Sequence, residues 1–322
     1  MTKRLGFILA CVALLIGSIA CQSSSSPAAS TAPDLQLRIG LLPIVDVLPI
    51  YVADAEGYFK EQKLDVQLTL FSSAMERDSA FQTAQIEGEL NDLVSVGLLN
   101  KDGERAKVVR TTYRGNAKQA MISVLAAPGS KIQKPADLKG VQIGLSGNTV
   151  MEYATDRLLR ASGLGAGEFQ TTEVTKIPVR AEMLAKGQIQ AATMPEPFAS
   201  VAVQQGARVV IDDQRTAQNQ SVMTFRQDVV EKHSDEVRRF LAAYEKAVQV
   251  INEKPESYRN LLIDKAMIPE SVRQSLAMPV YPRAAVPNRE EVTDVVDWMA
   301  GKGMLSQKLS YERIVNGQLL PK

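Results

Sequence analysis

The stretch "LRIGLLPIVDVLPIYVADAEGYF", residues 37–59, runs an apolar strand-like segment into a helix through a loop that holds Pro43, Asp46 and Pro49. The segment "LQLRIGLL" (35–42) is short, apolar and flanked by a proline, the mark of a buried strand. Pro49 is placed in the first helical turn, where a missing N–H costs little. A strand feeding a helix in this way is the unit of an α/β layer. In an open parallel sheet the binding crevice lies outside the carboxyl ends of the strands. The two prolines therefore stiffen a loop that puts Asp46 and Leu48 on the rim of a cleft, although Asp46 serves equally well as a solvated helix N-cap.

The same alternation recurs along the chain. Strands are expected over "LDVQLTLF" (64–71), "KVVRTTY" (107–113), "MISVLAA" (121–127), "VQIGLS" (141–146), "FQTTEV" (169–174), "QAATM" (190–194) and "ARVVID" (207–212). Helical periods fall between them, notably "TVMEYATDRLLRASG" and "PVRAEMLAKGQ", with Gly163 and Gly187 just past their C-caps. The pattern predicts an α/β fold with mostly parallel sheets. Beyond residue 234, "DEVRRFLAAYEKAVQVINEKPESYRNLLIDKA" and "REEVTDVVDWMAGKGML" are helical with no strand between them. The expected organisation is one lobe over 35–117 plus 216–322, including the helical tail, and a second over 118–215. "QSVMTFRQD" (220–228) reads as an extended crossing back to the first lobe, so two crossings form a hinge. No fixed-period repeat is visible, which argues against a solenoid.

Strand ends supply the candidate binding residues. "LSGNTVMEYATDRLL" offers Ser146, Gly147, Asn148 and Thr149 at a helix N-terminus, where free N–H groups and the helix dipole favour an anionic or carbonyl oxygen; Asn148 as a plain N-cap is the alternative. In "ATMPEPFASVAVQQG", Glu196 between two prolines either complements the first turn of its own helix or accepts a hydrogen bond from a ligand. The first lobe adds Ser72 and Ser73 after one strand, Asp92 in "GELNDLVSVGLL", and Thr112 near the end of "KVVRTTY". Such a rim carries hydroxyls and carboxylates but little positive charge, which disfavours a purely electrostatic anion site.

Bulk properties narrow the function classes. With 322 residues, 45% hydrophobic, 23% charged and a formal net charge of +1, the chain is long enough for a sizeable core. It lacks the basic excess that nucleic acid or an anionic membrane surface demands. Residues 1–20 differ from the rest: Lys3 and Arg4 precede "LGFILACVALLIGSIA", an apolar run of signal-peptide length ending in small residues. Export is the expectation. Catalytic readings find little support. The one histidine, His233, lies in the polar stretch "VVEKHSDEVRR" and reads as surface. The chain has two cysteines, of which Cys11 falls in the apolar run, so zinc sites and Cys/His nucleophile pairs are excluded. No G-x-S-x-G elbow or P-loop is present, and "SGLGAGEF" follows a helix and not a strand, which makes it a C-cap loop. No cofactor and no metal site is expected.

Residues 17–33, "GSIACQSSSSPAASTAP", resemble the lipobox of bacterial lipoproteins, with Ala20 before Cys21. The resemblance implies lipid on Cys21 and a flexible tether over 21–34, whose Ser, Ala and Pro offer nothing to pack. Three longer phrases, "LRIGLLPIVDVLPIYVADAEGYFKEQKLDVQL", "KPADLKGVQIGLSGNTVMEYATDRLLRASGL" and "MLAKGQIQAATMPEPFASVAVQQGARVVID", resemble the solute-binding proteins of bacterial ABC importers. They are most similar to the nitrate, sulfonate, taurine and pyrimidine-precursor group related to thiamine-pyrimidine synthases. The resemblance covers residues 35–215 and extends to the tail by type.

It implies a two-lobed, type II periplasmic-binding-protein-like fold and a monomer that closes on a small polar nutrient. An ABC permease and ATPase would be the partners, with membrane attachment only through the lipid and no nucleic acid. The similar synthases use an active-site histidine and a cysteine-rich motif that this chain lacks, so the expectation is a binding protein and not an enzyme. The alternatives are a same-fold enzyme of the pyrimidine-synthase or menaquinone-pathway type, or a ligand-sensing adaptor. A composition of 5% aromatic residues with one Trp, Trp298 in the tail, favours a small polar ligand over a large ring system.

Overall fold

The computed structural model describes residues 35–214 and 220–321. The expected signal peptide, the tether and Cys21 lie outside the described residues, as does the middle of the second crossing. Ten strands and twelve α-helices are found among the described residues. The first sheet begins with β1 (Leu37–Leu41), followed by α1 (Leu48–Ala55), α2 (Tyr58–Glu61), β2 (Val66–Leu70), α3 (Ala74–Gln82), β3 (Gly88–Asp92), α4 (Leu93–Leu99) and β4 (Ala106–Arg114). The chain then enters a second sheet with β5 (Ile122–Ala126), β6 (Gln142–Leu145), α5 (Val150–Ala161), β7 (Gln170–Glu173), α6 (Ile177–Ala185), β8 (Ala191–Pro195), α7 (Phe198–Gln204) and β9 (Arg208–Asp212). It returns through β10 (Gln220–Arg226) to α8 (Gln227–Lys232), α9 (Ser234–Glu253), α10 (Arg259–Lys265), α11 (Arg289–Gly301) and α12 (Tyr311–Ile314).

The two sheets repeat one plan. Their orders are β2-β1-β3-β10-β4 and β7-β6-β8-β5-β9. Each has four strands pointing one way and a single antiparallel strand between the third and the outermost. The expectation of mostly parallel sheets therefore holds for strand direction, while the pairings in each sheet divide two parallel and two antiparallel. The odd strand is in each case the one that arrives from the other sheet: β5 after β4, and β10 after β9. "QSVMTFRQD", expected as a crossing, is thus largely an inner strand of the first sheet, paired on both sides. β3 was not among the expected strands. Its sequence, GELND, is polar, yet every residue is buried because Glu89 and Asn91 find partners inside the protein.

Local sequence explains the opening unit. Leu37, Ile39 and Leu41 are fully buried, and a Cβ on Gly40 would lie 2.6 Å from Ile86 Cδ1 and 3.1 Å from Arg77 Cγ, so glycine here lets α3 and the loop before β3 close tightly over the strand. Pro49 sits in the first turn of α1, as expected. The loop between them does not stand on a rim. Val45–Val47 form a buried 3₁₀ turn, and the Tyr281 hydroxyl donates to the Val45 carbonyl at 2.5 Å.

The tail helices complete the first lobe and touch the second. Helix α9 packs Phe240, Leu241, Tyr244 and Val248 into the main apolar cluster with β1 and α1. Helix α11 lies on α4 so closely that a Cβ on Gly97 would meet Met299 Sδ at 2.7 Å. No helix of the described residues is long and apolar enough to cross a membrane.

Candidate functional site

A chamber of about 50 Å³ lies between the sheets, at the carboxyl ends of their strands. It is lined from the first sheet by the loop after β1 (Leu42, Ile44, Asp46), by Arg77 of α3, by Asn91 and Asp92 ending β3, and by Ser221 of β10. The second sheet contributes Ser146 and Thr149 before α5, Arg180 of α6 and Pro195 of β8. The chamber has room for roughly three or four water-sized groups. It adjoins a wider cleft of about 920 Å³ that shares Ala74, Ser146 and Thr149 and is bordered by Gly147, Asn148 and Glu173. The loops of the two lobes meet beside the chamber: Val45 N–H donates to the Glu196 carbonyl at 3.3 Å, and Lys176 pairs with Glu76 at 3.3 Å.

Two buried arginines dominate the chemistry. Arg77 is fully engaged in structure: it donates to the Leu90 carbonyl (2.6 Å), Asn91 Oδ1 (2.5 Å) and Asp78 Oδ1 (2.7 Å), with Glu89 at 3.2 Å. Burial works against its charge, but Asp78, Glu89 and Asp92 outweigh that and hold it above the ordinary arginine value. Arg180 differs. Its Nη1 donates to Ser146 Oγ (2.8 Å) and the Val174 carbonyl (2.7 Å), and its Nε points at Met194 Sδ, while Nη2 is buried with no partner among the described residues. Burial pushes its pKa down to about 10, a loss that Glu173 only partly offsets. A buried cation with two N–H groups unspent is costly unless an acceptor completes it.

Among the expected site residues, Asp46, Asp92, Ser146 and Thr149 line the chamber. Asp46 is 2% exposed and is not a solvated cap. Burial raises its pKa to about 6, held back by the Ser221 hydroxyl and by Arg77, and its Oδ1 has no partner. Asp92 caps α4, accepting from Val94 and Ser95 N–H at 2.9 Å. Thr149, not Asn148, caps α5, accepting from Met151 N–H at 3.1 Å and donating to the Ser146 carbonyl at 2.9 Å. Gly147 and Asn148 border the outer cleft, and the anion cradle expected of their N–H groups is filled by the protein itself. Glu173 accepts from Gly147 at 3.0 Å and Glu152 from Asn148 at 2.9 Å, with Asn148 in the left-handed region at φ 59°.

The others fall away from the chamber. Leu48 opens α1 and is fully buried in the apolar core. Ser72 is exposed, with its N–H on Glu76, and Ser73 Oγ caps α3 by accepting from Glu76 N–H at 3.3 Å. Thr112 is buried in β4 and lines neither space. Glu196 accepts from Ser200 N–H at 3.3 Å, the helix-complementing role that was its alternative. The expectation of little positive charge on the first-lobe rim misses Arg77, and Arg180 of the second sheet was not among the expected site residues. Each stands on a buried helical stripe: Arg77 with Ala80 and Phe81 in α3, and Arg180 with Ile177 and Leu184 in α6. A charge at an apolar stripe position is the signal that finds them.

The mirrored sheets, the two crossings and the chamber between strand ends define the class: this is the periplasmic-binding-protein fold. A model of the family described as "NMT1/THI5 like" matches residues 44–258, and the chain belongs to that family. Riboflavin-binding protein RibY of Chloroflexus aurantiacus is 25% identical over 173 residues, which is 52% of this chain and 48% of that protein. The chain thus spans about half the length of that relative. The alkanesulfonate-binding protein SsuA from Xanthomonas axonopodis pv. citri bound to MOPS superposes with a TM-score of 0.76 at 16% identity, covering 88% of this chain and 99% of that one. The periplasmic aliphatic sulphonate binding protein SsuA from Escherichia coli gives 0.72 at 20% identity, covering 88% and 92%. These two likenesses concern the fold. Among the described residues, no cluster of His, Cys, Asp and Glu is placed to hold a metal.

Proposed function

We propose that this protein is an extracytoplasmic solute-binding protein that delivers a small polar nutrient to an ABC importer by closing its lobes. The observation that carries the reading is Arg180 Nη2, a buried guanidinium nitrogen left without a partner in the chamber between the sheets. An acceptor oxygen of a sulfonate, carboxylate or carbonyl would complete it, and only with the lobes together does that oxygen also meet the first-sheet groups. A ligand that shifts the lobes from mostly open to mostly closed must favour the closed form by about 5 kcal/mol. Two hydrogen bonds to a charged group supply about 3–6 kcal/mol.

The family membership and the sulfonate-binding neighbours of the same fold support this reading. Residues 1–20 then act as the export signal, Cys21 as the lipid-bearing residue and 21–34 as the tether, with lobe boundaries near 117 and 215. The chamber's size and the absence of any aromatic residue from its lining favour a small head group over the stacked ring of a flavin, the kind of ligand for which the RibY relative is named. No bond need be made or broken in the site. Mass spectrometry of copurifying solutes, followed by calorimetry with sulfonates, nitrate, bicarbonate, pyrimidines and riboflavin, tests it. The expected result is saturable binding with the ligand recovered unchanged. Turnover of a bound compound, or no binding across the set, would overturn the proposal.

A further inference from the structure

The chamber holds a second unsatisfied group, opposite in sign to the first. Asp46 Oδ1, from the strand-end loop of the first sheet, is buried and without a partner, and it lines the same 50 Å³ space as Arg180 Nη2 from α6 of the second sheet. We infer that the ligand is bipolar: an acceptor end, anionic or carbonyl, completes Arg180, and an N–H or O–H donor end, such as an ammonium, amide or hydroxyl, completes Asp46. This rests on the solute-binding reading and narrows its substrate class.

The surroundings favour a donor at Asp46. The hydroxyl of Ser221 in β10 and the charge of Arg77 in α3 act on Asp46, and its field also reaches Tyr113 of β4, Tyr244 of α9 and Tyr281. Arg77 is the one cation in this set, and its donors go to Leu90, Asn91 and Asp78, with Glu89 ion-paired at 3.2 Å. On the same side of the chamber Asp92 adds a second carboxylate. A symmetrical anion such as nitrate would satisfy Arg180 and offer Asp46, in the lining of the same chamber, no donor. In so small a space that mismatch leaves a buried acceptor unpaired. A solute with a short spacer between its two ends answers both groups at once, and it does so only when the lobes are together.

Matched probe pairs test the inference on the purified full chain: 2-aminoethanesulfonate against ethanesulfonate, and 3-aminopropanoate against propanoate, by calorimetry at pH 7.5. The amine-bearing member of at least one pair is expected to bind about ten- to hundredfold more tightly, the worth of one hydrogen bond to a charged group. Asp46→Asn should reduce that preference to within about threefold. As a check that needs no variant, the wild-type preference should fade as pH falls through about 6, where Asp46 gains its proton. Equal binding within both pairs, or a preference untouched by both Asp46→Asn and acid, would overturn the bipolar ligand while the solute-binding reading stands. The same holds if none of the four binds but a solute without a donor end, such as nitrate, does. Failure of every solute would sink both readings.

Discussion

The indole Nε1 of Trp298 donates to Asp156 Oδ2 at 3.1 Å, and that bond joins the tail helix α11 to α5, the helix that follows the second sheet's first parallel strand. The contact is broad. Trp298 meets the Tyr153 ring edge-on at 5.3 Å, Arg157 donates to Asp294 Oδ1 at 2.5 Å, the Tyr153 hydroxyl also bonds Asp294, and Lys302 pairs with Glu152 at 3.1 Å. Meanwhile Val292, Val295, Val296 and Met299 on the same helix pack with α4 of the first sheet. Helix α11 therefore spans the two lobes, and a change in the angle between them must alter what Trp298 touches.

Trp298 is the chain's one tryptophan, so its emission reads this contact alone. Saturating ligand is expected to change the intensity or wavelength of that emission, with an apparent affinity equal to the calorimetric one. Asp156→Asn should keep the ring in place and alter the signal; Tyr153→Leu should shift the ligand-free spectrum toward that of a more exposed indole. If calorimetry detects binding while the emission stays constant, the α5–α11 contact is not part of the lobe motion.

Arg180 is expected to decide affinity for the acceptor end. Arg180→Gln removes the buried charge and should weaken binding of any anionic ligand about hundredfold, in line with the loss of about 2–3 kcal/mol for one or two hydrogen bonds to a charged group. Arg180→Lys keeps the charge but not the fork that reaches Ser146, Val174 and the ligand together, so a loss of about tenfold is expected. Wild-type affinity in Arg180→Gln, measured by calorimetry, would remove Arg180 from the site.

How much of this the sequence carried depends on which physical signal each part leaves. Apolar strands followed by capped helices gave nine of the ten strands as extended segments, because burial of Leu37, Ile39 and Leu41 or of Ile122 and Val124 imprints directly on residue type. The strand β3 left no such imprint, since Glu89, Asn91 and Asp92 are buried by virtue of Arg77, which lies in a different element. The residues that line the chamber divide in the same way. Asp46, Asp92, Ser146 and Thr149 stand at strand ends, where the fold rule looks for them. Arg77 and Arg180 reach the chamber from helix interiors, so only their misfit on an apolar stripe betrays them. Which N–H groups are free also escapes sequence: Glu173 and Glu152 sit 26 and 4 residues from the amides they occupy.

A buried carboxylate ties the two crossings between the sheets together. Asp213, fully buried at the start of the second crossing, accepts from Met121 N–H at 2.8 Å and Ile122 N–H at 3.1 Å at the end of the first. Asp213→Ala would leave two buried amides unpaired, at a cost of about 2–4 kcal/mol. A drop of several degrees in Tm is expected, with Asp213→Asn recovering most of it because the amide oxygen still accepts. A Tm for Asp213→Ala within a degree of wild type would show that the two crossings do not depend on this link.

Asp46 makes the ligand-free protein's stability depend on pH in a predictable direction. Burial raises its pKa from 3.8 to about 6, so between those values the folded protein binds a proton that the unfolded chain does not. Folding is therefore least penalised below pH 3.8, and the penalty grows as pH rises through about 6. Asp46→Asn, which cannot ionise, is expected to be more stable than wild type by about 1–3 kcal/mol above pH 6.5, the linkage value of a shift of roughly two units. The advantage should shrink steadily as pH is lowered toward 4 and disappear below it. Denaturant unfolding of the two proteins across pH 4 to 8 checks this. A constant difference at every pH would mean that Asp46 keeps an ordinary carboxylate pKa in the folded chain. A ligand whose donor end occupies Oδ1 should abolish the variant's advantage at neutral pH, because the same charge that costs stability in the empty chamber is then the group the ligand needs.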